Sequence, residues 1–253
     1  MTELITKQEQ ETVAKIDEVV SSLSSTIAEQ AGNKITVALA QAKAATMFRN
    51  LLTQEIVEQF NVLQGSRHGF ETDISYKGET YPVDVVRECL LEALLYGIRA
   101  VGGEWMIISK RCYITKAGFE RLATRICKNH AVQLGDVEMP KGREGTAKVS
   151  AKMFFVTMDG NRHEIRCTQT KDFDGRIPVR VNKGMGVDGV LGKARRKGLR
   201  MIVESVSGME ISDAERTSEE LDPVNFAAEA AADETARSGE LFPDGQQTPY
   251  DGE

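Results

Sequence analysis

The dipeptide Asp159-Gly160 constrains this chain more than any other feature. It separates two runs rich in β-forming residues, between about Ala147 and Thr170, and Asp-Gly is favoured where a hairpin reverses within two residues. A hairpin alone is marginal in water, so its apolar face needs a partner. The surrounding sequence offers helices for that purpose. Residues 7–31 read as a polar helix whose Val13, Ile16, Val20, Leu23 and Ile27 recur at three- and four-residue steps, a narrow seam on one side. Barely two heptads long, this seam suits packing on the body or on a neighbouring subunit. A second helix is expected from about Thr36 to Val62, interrupted near Thr53. Pro82 suits the first turn and Gly97 the stop of a third, whose stripe Val83, Val86, Leu90 and Leu94 faces a core.

Trp105 to Ile114 reads as a strand or tight hairpin. Thr115 is placed to cap a helix bearing Phe119, Leu122, Ala123 and Ile126 at helical spacing. Ile177 to Val181 reads as a short strand edged by Pro178, and a closing helix runs from about Val187 to Val206. Beyond Ser212 the chain turns acidic and alanine-rich, a composition expected to be mostly disordered. The expected fold is α+β, a small central antiparallel sheet backed by helices. Three regions follow: a helical N-terminal region (1–64) suited to oligomerisation, an α+β core (65–209), and an acidic tail (210–253).

Charge is divided along the same lines. The net charge is −6, but residues 210–253 hold thirteen acids against Arg216 and Arg237 and carry −11, leaving +5 on residues 1–209. A basic body beside an acidic tail suggests that the body contacts nucleic acid. The densest basic stretch is Arg176 to Arg200, with eight bases and one acid, Asp188. On the closing helix Lys193, Arg196, Lys197 and Arg200 recur at i, i+3, i+4 and i+7 and so share a side. A polyanion would relieve their mutual repulsion, with counterion release adding to affinity. The competing reading is a solvated side neutralised by the protein's own tail.

A second basic group, Lys110, Arg111, Lys116, Arg121, Arg125 and Lys128, surrounds the central strand and helix, interleaved with Trp105, Tyr113 and Phe119. Aromatic rings beside a positive groove are the physics of sequence-tolerant single-strand binding. Alternation puts Arg111 and Tyr113 on one strand face. Phe119 fits the core stripe of its helix. Trp105 and Tyr113 are the stacking candidates, with a core role as the alternative for each.

Several chemistries find no support. The four cysteines, Cys89, Cys112, Cys127 and Cys167, form no Cys-x-x-Cys pair, so free thiols are expected and no metal. Gly184-Met185-Gly186-Val187-Asp188-Gly189 matches a dinucleotide fingerprint in letters, but no parallel strand ending in an acid follows. Gly192-Lys193 lacks the glycine and hydroxyl residue of a phosphate-cradling loop. His68, His130 and His163 are scattered, and no catalytic set can be nominated by spacing. No cofactor is expected, and the chain is read as a binding protein rather than an enzyme. No stretch approaches the ~20 apolar residues of a membrane helix, and Met1-Thr2-Glu3-Leu4 does not open a secretory signal. The cytoplasm of a bacterial host is the expected location.

Taken in order, Cys89 to Gly97, Trp105 to Tyr113, Lys116-Ala117-Gly118-Phe119-Glu120-Arg121-Leu122-Ala123-Thr124-Arg125, and Gly192-Lys193-Ala194-Arg195-Arg196-Lys197 resemble the core of RecT-type phage recombination proteins. Order and spacing agree over about residues 83–216. The chain departs from that family where Ala117-Gly118-Phe119 replaces Gly-Tyr, and where Arg180 to Gly186 replaces a tryptophan-rich segment. The resemblance implies a protein that coats single-stranded DNA as oligomeric rings or filaments and anneals complementary strands in recombination and repair, without ATP. It implies backbone contacts from Lys110, Arg111, Lys116, Arg121, Arg125, Arg180, Lys183, Lys193, Arg196, Lys197 and Arg200. The N-terminal seam would join subunits, and the tail would meet an exonuclease or a host single-strand-binding protein. Annealed duplex is the implied product. Two rivals stand beside it: a non-catalytic phage assembly or regulatory protein whose basic helix binds protein, and a metal-dependent nuclease.

Overall fold

The computed structural model describes residues 5–30, 33–66, 68–141, 145–165, 175–182, 184–208 and 211. Cys167, Lys183 and the acidic tail beyond Ile211 lie outside the described residues. The fold is mixed α+β, and its helices begin where the sequence places them. Helix α1 (Lys7–Glu29) opens with a capping box: Thr6 Oγ accepts from the Glu9 amide at 3.2 Å while Glu9 Oε2 accepts from the Thr6 amide at 2.6 Å. Helix α2 (Lys34–Leu51) stops at Leu52, and Thr53 starts α3 (Gln54–Asn61) by accepting from the Ile56 amide. The expected interruption near Thr53 is this change of helix. In α1, Ile16, Val20, Leu23 and Ile27 are buried against α2 and α5, and Val13 is 44% exposed. The seam is therefore spent largely inside the chain, and its proposed use between subunits is corrected accordingly. Exposed apolar side chains lie instead on α2, at Ile35, Leu39 and Met47.

A small sheet forms next. The two-residue β1 (Glu71–Thr72) runs parallel to β2 (Trp105–Ile108), which pairs antiparallel with β3 (Arg111–Ile114). Helix α4 (Val83–Leu95), with Pro82 as its N-cap residue rather than in its first turn, buries Val86, Cys89, Leu90 and Ala93 and packs against these strands and against α2 and α3. The β2–β3 turn is made by Ser109 and Lys110, with φ of 52° and 62°. Positive φ at both turn positions is what a two-residue hairpin turn requires, and it is uncommon outside glycine and asparagine. Asp73 stabilises it by accepting from the Ser109 amide at 2.9 Å and the Tyr81 hydroxyl at 2.7 Å. That hydrogen bond and burial push the Tyr81 phenol up to about 12, with burial the larger cause.

The larger sheet is built on β5 (Gly145–Val156). Strand β4 (Asn129–Glu138) pairs along one side of it, with a bulge between Leu134 and Val137. On the other side, β6 (Arg162–Ile165) and β7 (Ile177–Val181) lie end to end, opposite the two halves of β5. Asp159-Gly160 turns the chain between β5 and β6, with Gly160 at φ 93°. One face of this sheet buries Ala147, Val149, Met153, Phe155, Val132, Ile177 and Val179. The last helix, α6 (Val187–Ser207), lies on that face and on α5 (Lys116–Ile126). Gly198 permits the close approach: a Cβ there would come 2.7 Å from Val132 Cγ1 and 3.2 Å from Met153 Sδ.

Two helical glycines predict opposite outcomes. A Cβ at Gly118 would fall 2.2 Å from the Glu104 carbonyl oxygen, whereas nothing lies within 4 Å of one at Gly192. In urea unfolding, Gly118→Ala should lose about 2 kcal/mol or more, because backbone cannot yield cheaply. Gly192→Ala should gain roughly 0.5–1 kcal/mol from helix propensity alone.

Candidate nucleic-acid interface

The basic side read on the closing helix is not a free surface. Arg196 is 5% exposed and Arg200 8% exposed. Arg196 Nε donates to the Ile114 carbonyl at 2.8 Å, and its guanidinium carbon lies 3.7 Å from the Tyr113 ring centroid and 5.2 Å from that of Phe119. Arg200 Nε donates to Glu204 Oε1 at 2.9 Å, an i,i+4 pair. The same carboxylate oxygen accepts from the Ile211 amide at 3.0 Å. Lys197 Nζ donates to the Pro178 carbonyl at 3.1 Å, and Lys193 is half-buried. Arg196 and Arg200 are thus withdrawn from the set of backbone contacts. The physical reason is that α6 is covered on more than one side, by α5 as well as by the sheet. Arg196, Lys197 and Arg200 are met by carbonyl oxygens, aromatic faces and one glutamate just beyond the basic stretch.

The second basic group divides. Arg125 Nη1 donates to Ser24 Oγ and to the Gly97 carbonyl, both at 2.9 Å, tying α5 to α1 and to the end of α4. Burial lowers its pKa from the usual value, with the neighbouring Arg121 charge adding to the effect. Glu104, 2% exposed, accepts from Arg99 Nε at 2.6 Å and lies 3.6 Å from Arg121 Nε. Arg125 accordingly serves the interior, and Arg121, its side chain 36% exposed, pairs with the buried Glu104. Trp105 is 1% exposed, stacks on Phe70 with centroids 4.4 Å apart, and donates from Nε1 to the Ala100 carbonyl. It is a core residue, and its base-stacking role is withdrawn. Tyr113 shares a face with Arg111 as alternation requires, but Arg196 occupies one side of its ring. Lys110, Arg111 and Lys116 remain exposed near the hairpin, and Arg180 is exposed on β7.

Arg180 belongs to a surface that sequence reasoning missed. The face of the large sheet opposite α6 carries the even-numbered side chains of β5, among them Lys148, Lys152 and Phe154. Register aligns Arg180 with Thr146, Glu138 with Lys148, Gln133 with Lys152, Glu164 with Phe154 and Arg162 with Val156. Lys152, Arg162 and Arg180 are exposed, and Arg176 pairs with Glu138 at 2.8 Å. Among the described residues, Lys148, Lys152, Arg162, Arg176 and Arg180 share this face with Glu138 and Glu164. The Arg162 guanidinium carbon lies 4.5 Å from the Phe154 ring centroid. A signal was present in the Lys148-x-x-x-Lys152 spacing, since residues four apart on a strand point the same way. It went unread because β4, which flanks them, was not recognised as a strand.

Burial holds the thiols of Cys89 and Cys127 up to about 12 and about 11, and that of Cys112 well above its ordinary value. All three are free, buried and protonated at neutral pH. Among the described residues no three His, Cys, Asp or Glu side chains gather to hold a metal ion, and no helix is long and apolar enough to cross a membrane. Comparison of the chain with protein-family models, curated proteins and solved structures returned no match.

The placement of Arg196 has a measurable consequence. Arg196→Ala should lower unfolding stability by about 2–3 kcal/mol, since it removes a charged donor from a buried carbonyl and leaves space beside two rings. Arg195→Ala, at an exposed position of the same helix, should stay within about 0.5 kcal/mol of the parent. Equal values for the two in denaturant titrations would mean that Arg196 is not anchored as described.

Proposed function

We propose that this chain binds single-stranded DNA on the open face of its large sheet and anneals complementary strands without ATP, as a recombination protein similar to the RecT type. The observation that carries the reading is the basic face around Lys148, Lys152, Arg162, Arg176 and Arg180, on the side of the sheet away from α6. A strand held there by its phosphates keeps its base edges available to a second strand. Neutralising both backbones lowers the repulsion that slows annealing. The resemblance of the segments from Cys89 to Lys197 to RecT-type proteins, in order and spacing, leads to the same reading. A ring or filament is part of the proposal, and with the α1 seam largely used inside the chain, the exposed Ile35 and Leu39 of α2 are apolar side chains left for subunit contacts.

One observation favours the rival. Burial of Arg196 and Arg200 gives the basic helix an architectural role, which takes two of its cations away from nucleic acid. The two readings part on a simple assay with complementary fluorophore–quencher oligonucleotides and no ATP. Annealing well above the protein-free rate, with strands intact, supports recombination. Binding without acceleration supports a regulatory DNA binder, cleavage with magnesium a nuclease, and no binding at low salt the architectural rival.

The face itself can be tested by salt. Lys152→Ala and Arg180→Ala should each reduce the slope of log affinity against log salt by about 0.7 for a single strand, alike for all sequences. Unchanged slopes in folded variants would remove this face from the interface.

A further inference from the structure

We propose that Phe154 and Arg162 form a stacking site for one unpaired nucleobase on the open sheet face, an inference that rests on the nucleic-acid reading above. Phe154 lies on the solvent side of β5, among Lys148, Ser150 and Lys152, and not on the side that packs against α6. Among the described residues Phe154 is half-buried and is not one of the hydrophobic core cluster. Its cross-strand neighbour on β4 is Ala131, whose methyl group adds little bulk beside the ring. Arg162 reaches diagonally from its own position opposite Val156, bringing its guanidinium carbon 4.5 Å from the ring centroid. A planar cation on an aromatic face is a stable pair in itself. It also offers two flat surfaces of the kind on which unstacked bases rest, an aromatic ring and a guanidinium plane.

The surrounding charges give the bound strand a direction. Glu164 sits opposite Phe154 on β6 and disfavours a phosphate on that side. Lys152, Lys148 and Arg180 extend along β5 away from the ring, with Arg180 opposite Thr146, and Glu138, opposite Lys148, is paired with Arg176. From Phe154 to Thr146 the strand rises about 26 Å. That length suits the smallest site sizes of single-strand binders, about four nucleotides. The base stacks at the Phe154 end, and the phosphates follow the lysines towards Arg180. Duplex DNA presents no free base face, so the site takes single strands in preference to duplex.

The test compares an oligothymidylate of about twelve nucleotides with a wholly abasic strand of the same length, against the full chain and two variants. The parent should bind the thymidylate about tenfold more tightly than the abasic strand. Phe154→Leu, close in volume, should lose that tenfold for thymidylate while leaving abasic affinity and the salt slope unchanged. Arg162→Lys, which keeps the charge and loses the plane, should lose part of it. If Phe154→Leu binds both strands as the parent does, the stacking site is overturned. An equal loss for both strands overturns it as well, because Phe154 then only shapes the face. Should the parent bind neither strand at low salt, the nucleic-acid reading itself falls. Tight, salt-dependent binding that ignores the bases refutes only the stacking site.

Discussion

The fold depends on a cation placed where cations are expensive. Arg196 leaves α6, the helix that backs the large sheet, and ends against the last residue of β3 in the small one. Burying a charge is costly unless hydrogen bonds and polarisable faces compensate. Here the compensation comes from the Ile114 carbonyl and from the rings of Tyr113 and Phe119. What the contact fixes then propagates. Ile114 precedes Thr115, whose hydroxyl caps α5, so the position of β3 sets the start of that helix. Three residues into α5's first turn and beyond its cap, Gly118 lies against the Glu104 carbonyl, and the Glu104 side chain gathers Arg99 and Arg121. The two sheets, which share no strand, are joined through this series of contacts.

Much of the architecture was legible in the sequence for local reasons. Thr115 read as a cap because a hydroxyl before an apolar-periodic run satisfies amides that nothing else reaches. Asp159-Gly160 read as a turn because its backbone preferences are intrinsic. The losses were tertiary. Strand β4 alternates weakly, with Gly135 and Asp136 at a bulge, so its pattern falters where its partner makes it regular. Strand β1 is two residues long and exists only because β2 is beside it. The error at α6 has the same origin. A helical wheel separates basic from apolar residues, but it cannot show that the basic side meets carbonyl oxygens from distant strands.

The exchange is instructive for the candidate site. Arg196 and Arg200, which looked available for a polyanion, hold the back of the sheet, and the front of the same sheet adds Lys148, Lys152 and Arg162, which the sequence did not single out. Arg180 belongs to both accounts: it was nominated for its place in a basic run, and it stands on the open face because β7 alternates Val179 and Val181 inward. Separating the two tasks has a physical rationale. A backing helix packed on several sides holds the sheet rigid, so charges on the far side keep a fixed spacing. Less conformational entropy is then lost when a ligand engages them.

The bulge in β4 bears on how such a sheet stays apart from its copies. Strand β4 has ten residues, and among the described residues only β5 pairs with it, so its outer margin is a sheet edge. A margin of that kind is a template for edge-to-edge aggregation. The extra residue between Leu134 and Val137 bends the strand and breaks its register, and Asp136 and Glu138 add negative charge just there. A second β4 laid alongside would meet mismatched spacing and like charge together. The irregularity that hid this strand from its sequence pattern thus also shields it from its own kind.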